Sequence, residues 1–105
     1  MKSGEKILEG SVCKIEVEIK NADGLHMRPA MLFVDISNKF GSEVTVSNGE
    51  AKVDGKSIMQ MSMLAAICGT KLEITAQGPD AQKAVAALRE LVEDRMFDEP
   101  SPAEK

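Results

Sequence analysis

The sequence predicts an α+β fold, an open-faced β-sandwich in which three helices cover one face of a four-stranded antiparallel sheet. Four segments alternate apolar and polar residues, which is typical of half-buried strands, and three others repeat apolar residues at helical spacing. Their order along the chain is βαββαβα. One layer of helices buries the apolar face of the sheet, so we expect the opposite face, with Glu16 and Glu18, to lie in water.

A short turn joins the first predicted strand to the first predicted helix. Residues 13–20 alternate between apolar and charged side chains, as a strand does. The residues after the turn, up to Phe40, lack this alternation and predict a helix. Pro29 fits a helix only in its first turn, where the missing N–H has no intrahelical partner. The helix is therefore expected to begin near His26 or Met27.

The predicted first helix carries more apolar surface than burial on one side requires. Its core face is expected to comprise Ala30, Phe33, Val34, Ser37 and Phe40. Leu32 and Ile36 form a second apolar stripe beside this face. Burial of one side of the helix does not account for this second stripe.

A hairpin is predicted after the first helix. Residues 43–47 and 51–53 are short strand segments joined through Asn48 and Gly49. An Asn-Gly pair is a strong signal for a two-residue turn, because both positions accept positive φ.

A methionine-rich helix and a fourth strand follow the hairpin. Residues 58–67 are expected to be helical, with Ser57 as the N-cap and Gly69 at the C′ position. Residues 72–76 alternate again and predict a strand. A Gly-Pro-Asp turn at 78–80 then opens the last helix. The expected buried residues of that helix are Ala81, Ala84, Val85, Leu88, Leu91 and Val92.

Length and composition limit the classes of protein. The 105 residues fit one domain, which we place at residues 11–97 between a flexible leader at 1–10 and a disordered tail at 98–105. The net charge of −4 and only three aromatic residues argue against nucleic-acid binding. The longest apolar run, residues 63–68, is far shorter than the roughly 20 residues that a membrane helix needs. Because no signal-peptide pattern is present, we expect no membrane insertion and a cytoplasmic location.

The two cysteines, Cys13 and Cys68, are expected to be small core thiols. They are far apart in sequence and belong to no CxxC pair, and His26 is the only histidine. A reducing compartment keeps both as thiols. The sequence therefore implies neither a metal nor a cofactor.

His26 is the residue with the clearest chemical potential, because it lies where a turn gives way to a helix. The N–H groups at a helix N-terminus favour an anion, so a phosphoryl group on this imidazole would meet backbone donors. Arg28 adds a guanidinium that can donate to the same oxygens, and Pro29 stiffens the turn. Spacing alone supports a purely structural interpretation equally well. In that interpretation, His26 is an exposed N-cap and Arg28 is a solvated charge without a role in binding phosphate.

Two motifs at a suitable separation make the chain resemble a known family. They are Gly24-Leu25-His26-Met27-Arg28-Pro29-Ala30 and, about thirty residues later, Lys56-Ser57-Ile58-Met59. Both resemble motifs of HPr, the histidine-containing phosphocarrier of the bacterial phosphoenolpyruvate:sugar phosphotransferase system. The resemblance covers roughly residues 12–91, with the elements in the order of the family.

The resemblance implies a carrier rather than a catalyst. Enzyme I of the system, itself phosphorylated by phosphoenolpyruvate, would pass its phosphoryl group to Nδ1 of His26. His26 would then pass it to a sugar-specific IIA domain, while Arg28 steadies the charge and Pro29 sets the turn geometry. Transfer onward stalls if the phosphate is bound too tightly, so we expect an exposed, loosely held phosphate. We also expect a monomer, because a carrier needs its docking face free.

Ser57 has a structural and a regulatory interpretation. As a helix N-cap it stabilises the protein by about 1 kcal/mol relative to alanine. It also resembles the serine that an ATP-dependent HPr kinase/phosphorylase modifies in carbon catabolite regulation, where a catabolite regulator is a further partner. A phosphoserine adds nearly two negative charges and is tolerated at a helix N-terminus, so it would change docking more than folding.

The resemblance also implies a docking face around His26, formed by the first and second helices. We expect four residues to face outward as an apolar rim: Met27, Leu32, Ile58 and Met59. Methionine adapts its shape, so such a rim can accept several partners.

The chain departs from the family pattern at three positions near this face. Met27 is bulkier than the small residue often found after the histidine. Gln60 replaces a glycine that is common where the serine kinase acts. Asp35 and the acidic balance reduce the positive charge available to steer an acidic enzyme I.

Two alternatives from other functional classes stay open at this stage. Small α+β enzymes that hydrolyse acyl phosphates also hold phosphate with an arginine and backbone N–H groups, but the glycine-rich loop that precedes their arginine is missing here. The other alternative is a regulatory HPr-like adaptor controlled by HPr kinase/phosphorylase. In that case, phosphorylation of His26 or Ser57 only gates binding to a regulator or kinase, without a role in sugar transport.

Overall fold

The computed structural model describes residues 11–64, 66–95 and 97. Their elements are β1 (Val12–Glu18), α1 (Met27–Ser37), β2 (Glu43–Ser47), β3 (Lys52–Asp54), α2 (Ile58–Ser62), β4 (Lys71–Gln77) and α3 (Ala81–Arg89), with a π-helical turn at Glu90–Asp94. The predicted element order and fold class are confirmed. The predicted leader at 1–10 and tail at 98–105 lie outside the described residues.

The sheet is antiparallel with the strand order β1-β4-β2-β3. The central strand β4 places Ile74 opposite Ile15 on one side and Val46 on the other. Side chains alternate between the two faces of a strand, so one face of the sheet is apolar and packs against the helices. Glu16, on the other face, is exposed as expected.

Helix α1 begins at Met27 with His26 as its N-cap, and Pro29 lies in the first turn. The predicted end at Phe40 is wrong, because the helix ends at Ser37. The amide group of Asn38 donates to the Val34 carbonyl at 3.0 Å, and the N–H of Phe40 donates to the Ser37 carbonyl at 3.2 Å. These two bonds satisfy carbonyl groups in the last turn of α1, and the chain then turns toward β2.

Helix α2 is shorter than predicted. It ends at Ser62 rather than near residue 67, and Gly69 does not occupy its C′ position. The backbone beyond it bonds to the β1–α1 connection instead: the Ala66 carbonyl accepts from the N–H of Leu25 at 2.8 Å, and the N–H of Gly69 donates to the Ile19 carbonyl at 2.7 Å. These bonds to another part of the chain replace those of a longer helix.

The predicted hairpin is present, but its turn is longer than two residues. Ser47 pairs with Lys52, which leaves four residues in the loop. Gly49 takes a φ of +96°, whereas Asn48 contributes its side chain. The Asn48 Oδ1 accepts from the N–H groups of Glu50 at 2.9 Å and Ala51 at 2.8 Å. Such a side-chain turn is a common use of asparagine.

The start of α3 is anchored by contacts that are remote in sequence. The carboxylate of Asp80 accepts from the N–H groups of Gly41 and Ser42, each at 2.9 Å, and from the Ser42 hydroxyl at 2.5 Å. The N–H of Asp80 donates to the same hydroxyl at 3.2 Å. These bonds tie the last helix to the α1–β2 connection. The buried face predicted for this helix is confirmed by the residues Ala81, Ala84, Val85, Leu88, Leu91 and Val92.

The π-helical turn after α3 supports the edge strand β1. Its Glu93 carboxylate accepts from the N–H of Glu18 at 2.9 Å. Edge strands expose backbone donors that can pair with another chain, so this contact occupies one of them.

None of the helices in the described part of the chain has the length and apolar character that a membrane crossing requires.

Candidate functional site

His26 lies at the N-terminus of α1 and is exposed. Its backbone is extended, with φ −100° and ψ −167°, and its carbonyl accepts the N–H of Ala30 at 3.0 Å. The backbone thus serves as the N-cap, and the imidazole makes no side-chain cap bond. The N–H groups of the first helical turn point toward the same side. The imidazole and these backbone donors therefore share one solvent-exposed region.

The connection before His26 is fixed from two sides. The amide group of Asn21 donates to the Gly24 carbonyl at 2.7 Å, and the N–H of buried Leu25 donates to the Ala66 carbonyl at 2.8 Å. Gly24 has a φ of +72°, and a Cβ there would lie 2.6 Å from the Ala66 oxygen. Only glycine tolerates both the dihedral angle and the close approach. The loop therefore holds His26 at a defined point beside the chain that follows α2.

Arg28 and Pro29 occupy the same first turn but point differently. Arg28 is exposed, whereas Pro29 is buried. The ring of Pro29 fixes φ and packs inward, so it anchors the helix start. His26 and Arg28 are thus both exposed in the N-terminal region of α1, two residues apart.

Ser57 is the N-cap of α2, as predicted. Its hydroxyl oxygen accepts from the N–H of Gln60 at 3.2 Å. The side chain of Gln60 also accepts from the N–H of Asp54 at 2.8 Å, so it joins α2 to the end of β3. Next to Ser57, the Nζ of Lys56 donates to the Phe40 carbonyl at 2.7 Å. The serine is half-buried, with its hydroxyl already used by the helix that it begins.

A methionine-rich surface extends from His26 across α1 and α2, which pack against each other. We call it the apolar face; its exposed members are Met27, Met31, Ile58, Met59 and Met63. The predicted exposure of Met27, Ile58 and Met59 agrees with the structure.

Leu32 is a correction to the expected apolar rim. It was expected to face outward, but it is half-buried and packs against the core, as does Ile36. The exposed residue is its neighbour Met31, at 51%. The signal for Met31 was its spacing of four from Met27, which places both on one helix stripe.

A groove of about 390 Å³ lies between the two helices on the apolar face. It is lined by Met31, Val34, Asp35 and Ile58. Asp35 is thus the one charged residue in an apolar lining. A second depression, of about 470 Å³, lies along β2 and β3 and is lined mainly by charged and polar residues of these strands, with Lys56 at its edge.

The two cysteines do not form a site. Both are free thiols. Cys13 is half-buried, but Cys68 is exposed, so the expectation that Cys68 belongs to the core is wrong. The chain after α2 follows the surface to reach Ile19, and this path leaves the Cys68 side chain outside, with its sulfur 3.8 Å from the Lys20 carbonyl oxygen. Within the described ranges, no group of three or more potential ligands is arranged for a metal ion.

Comparisons with known proteins identify relatives of one kind. The family model described as "PTS HPr component phosphorylation site" matches residues 13–94. The phosphocarrier protein HPr of Pseudomonas aeruginosa is 44% identical over 86 residues, which cover 81% of this chain and 94% of that protein. The HPr-like protein Crh of Bacillus subtilis is 41% identical over 83 residues, which cover 79% of this chain and 95% of that protein. The crystal structure of HPr-C-His from Thermoanaerobacter tengcongensis aligns with a TM-score of 0.79 at 39% identity, covering 84% of this chain and 98% of that one.

Proposed function

This chain belongs to the HPr family of phosphocarrier proteins, and from that premise we propose that His26 carries a phosphoryl group from enzyme I to sugar-specific IIA domains. The family consists of carriers and not of enzymes, so the reacting group is modified and restored in each cycle. Sugar transport by the phosphotransferase system is the role that follows from the family.

The observation that carries this proposal is the placement of His26. The imidazole is exposed, is not used as a side-chain cap, and stands at the positive end of an 11-residue helix beside Arg28. A phosphoryl group on Nδ1 would meet the dipole of the helix and a guanidinium, both of which favour negative charge. Because the site is open to water, these interactions are screened and the phosphate is held loosely.

The chemistry asked of the protein is limited to positioning. As the bond between phosphorus and the donor breaks, a bond forms to Nδ1 of His26, and the reverse sequence delivers the group to the acceptor. Arg28 and the backbone N–H groups of α1 stabilise the charge on the three phosphoryl oxygens during both transfers. Pro29 keeps these groups in register by fixing the first turn.

Onward transfer is the experiment that separates a carrier from a protein that is merely phosphorylated. The protein is first phosphorylated with phosphoenolpyruvate and enzyme I, separated from both, and then mixed with a cognate IIA domain. We expect the IIA domain to gain the phosphoryl mass while this protein loses it. A phosphorylated protein that retains the group with every IIA domain of the same bacterium would contradict the carrier role.

Regulation at Ser57 is a second candidate function. It is supported by the position of Ser57 at the edge of the apolar face, where an added dianion would meet docking partners. A relative named HPr-like protein Crh makes an adaptor role, with HPr kinase/phosphorylase and a catabolite regulator as partners, the alternative to transport. The test is incubation with ATP and such a kinase. We expect one acid-stable phosphoryl group on the wild type and none on Ser57→Ala.

Gln60 offers a sharper form of this test. Its side-chain oxygen accepts from the N–H of Asp54, so it restrains the segment around Ser57 to which a kinase must bind. Gln60→Gly removes this restraint and restores the residue common among kinase substrates of the family. We expect faster ATP-dependent modification of Gln60→Gly than of the wild type. Equal rates would show that Gln60 has no influence on recognition.

The remaining expectations follow from this role. We propose that residues 11–97 form the whole functional unit, that the protein acts as a monomer because its partners need the face around His26, and that it works in the cytoplasm, where phosphoenolpyruvate is made available to enzyme I. No cofactor or metal is required by the transfer.

A further inference from the structure

The groove between α1 and α2 contains a carboxylate that the carrier role does not explain. Asp35 is exposed and lines the groove together with Met31, Val34 and Ile58. Met27, Met31 and Asp35 follow one another at a spacing of four, so they form a single stripe along α1. The carboxylate therefore continues the apolar face, at a distance of about 14 Å along the helix from His26.

The Asp35 carboxylate makes no ion pair with any residue in the part of the chain that the structure describes. Nor does a described N–H or hydroxyl group donate to this carboxylate. In the free protein, water solvates this group.

Docking removes that water. A partner that places its phosphoryl group at His26 and lies along α1 covers the stripe that includes Asp35. An apolar surface placed on the groove would bury an unpaired carboxylate, which is unfavourable, and an acidic surface would add repulsion. A lysine or arginine beside an apolar side chain would fill the groove and neutralise the charge.

We propose that Asp35 determines specificity, by selecting a phosphoryl donor whose docking surface presents a cationic side chain next to the apolar residue that enters the groove between α1 and α2. The inference rests on the proposed function and names the chemistry of the enzyme I surface that fits this chain. The selection has an attractive and a repulsive part. A matched phosphoryl donor gains an ion pair with Asp35, and a phosphoryl donor whose surface at the groove is acidic or purely apolar is rejected.

Initial rates of phosphorylation by the cognate enzyme I and phosphoenolpyruvate test this proposal. The variants are Asp35→Asn and Asp35→Lys, with Glu16→Lys as a matched control. Glu16 is exposed on the opposite face of the sheet, so Glu16→Lys changes the net charge as much as Asp35→Lys does without touching the groove. The experiment measures KM for this protein and kcat at about 50 mM and 500 mM salt, since salt screens exposed ion pairs.

We expect KM to rise about threefold for Asp35→Asn and about tenfold or more for Asp35→Lys at low salt, with kcat unchanged. Glu16→Lys should change KM by less than about twofold, which is what long-range net charge alone contributes. High salt should bring Asp35→Asn and the wild type together. An unchanged or lower KM for Asp35→Lys at low salt would overturn the proposal.

The outcome is independent of whether His26 is the carrier residue. At saturating protein concentration, each Asp35 variant should still gain one phosphoryl group. Full modification with an unaltered KM would refute the role of Asp35 and leave the carrier role intact. No modification of the wild type at any concentration would instead refute the proposed function itself.

Discussion

Arg28 lies two residues after His26 in the first turn of α1, and its side chain is exposed. Replacement by glutamine removes a charge-assisted donor from the phosphoryl oxygens, and we expect the rate of phosphorylation to fall about tenfold, which corresponds to ~1.4 kcal/mol. Arg28→Lys keeps the charge but loses the bidentate geometry, so its rate of phosphorylation should lie between those of Arg28→Gln and the wild type. Rapid-quench kinetics with phosphorylated enzyme I measures both. Equal rates for Arg28→Gln and the wild type would exclude Arg28 from the transfer.

At the scale of residues, the sequence was most informative at positions where the residue type is explained by interactions within a single turn of the chain. Pro29 indicated the start of α1 through its fixed φ and missing N–H, and Ser57 indicated the start of α2 through its cap bond; both effects act within one turn. Leu32 was misjudged and Met31 was missed for the opposite reason. Which of two neighbouring apolar residues faces outward depends on the angle at which α1 packs on the sheet and on α2, and that angle is not a local property.

The N-cap of α2 is an element with a measurable contribution. Ser57→Ala removes the acceptor of the Gln60 N–H, and we expect the free energy of unfolding to fall by about 1 kcal/mol. Ser57→Asp keeps an acceptor at the same position, so it should retain most of the stability. Urea unfolding measures both variants against the wild type. A loss for Ser57→Asp as large as that for Ser57→Ala would show that the lost stability does not come from the cap bond.

The anchor of α3 predicts a dependence on pH. Bonds from the Ser42 hydroxyl and from the N–H of Gly41 hold the pKa of Asp80 below its ordinary value. A lowered pKa in the folded state stabilises the protein above the unfolded pKa, and this stabilisation is lost as pH falls through the folded value. Asp80→Asn should therefore lower the urea midpoint at pH 7, and the difference from the wild type should shrink below about pH 4.

Asp35→Asn is the matched control for this prediction, because it removes an exposed carboxylate to which no described residue donates. Its urea midpoint should stay close to that of the wild type at both pH values. A difference between Asp80→Asn and the wild type that is as large at pH 3 as at pH 7 would contradict the role of the ionised carboxylate.

At the scale of elements, the order and the type of each helix and strand were predictable, but their ends were not. The ends of α1 and α2 depend on bonds to distant backbone, such as Leu25 to Ala66, and no short pattern encodes them. The anchor between Asp80 and Ser42 joins residues 38 apart, so the Gly-Pro-Asp turn indicated a helix start without indicating its partner. The four-residue hairpin loop differed because Asn48 used its side chain rather than a positive φ.

At the scale of the whole molecule, an antiparallel sheet supports a helix, α1, whose N-cap His26 is exposed. Antiparallel pairing holds β1, β4 and β2 together, and the helices cover a single face of this sheet. The N-terminus of α1 is therefore supported on its core side and open to solvent on the other. Fold class was predictable from alternation and helical spacing, because these patterns repeat over whole elements. The family was predictable from the motifs around His26 and Ser57. The groove was not, because it exists only where two helices meet.

Intact-mass analysis after incubation with phosphoenolpyruvate and purified enzyme I tests directly whether His26 accepts the phosphoryl group, with His26→Ala measured in parallel. We predict one acid-labile phosphoryl group on the wild type and none on His26→Ala, whose far-UV circular dichroism should match the wild type because His26 is exposed and makes no side-chain cap bond. An unmodified wild type with an active cognate enzyme, or an equal mass gain on both proteins, would contradict the account.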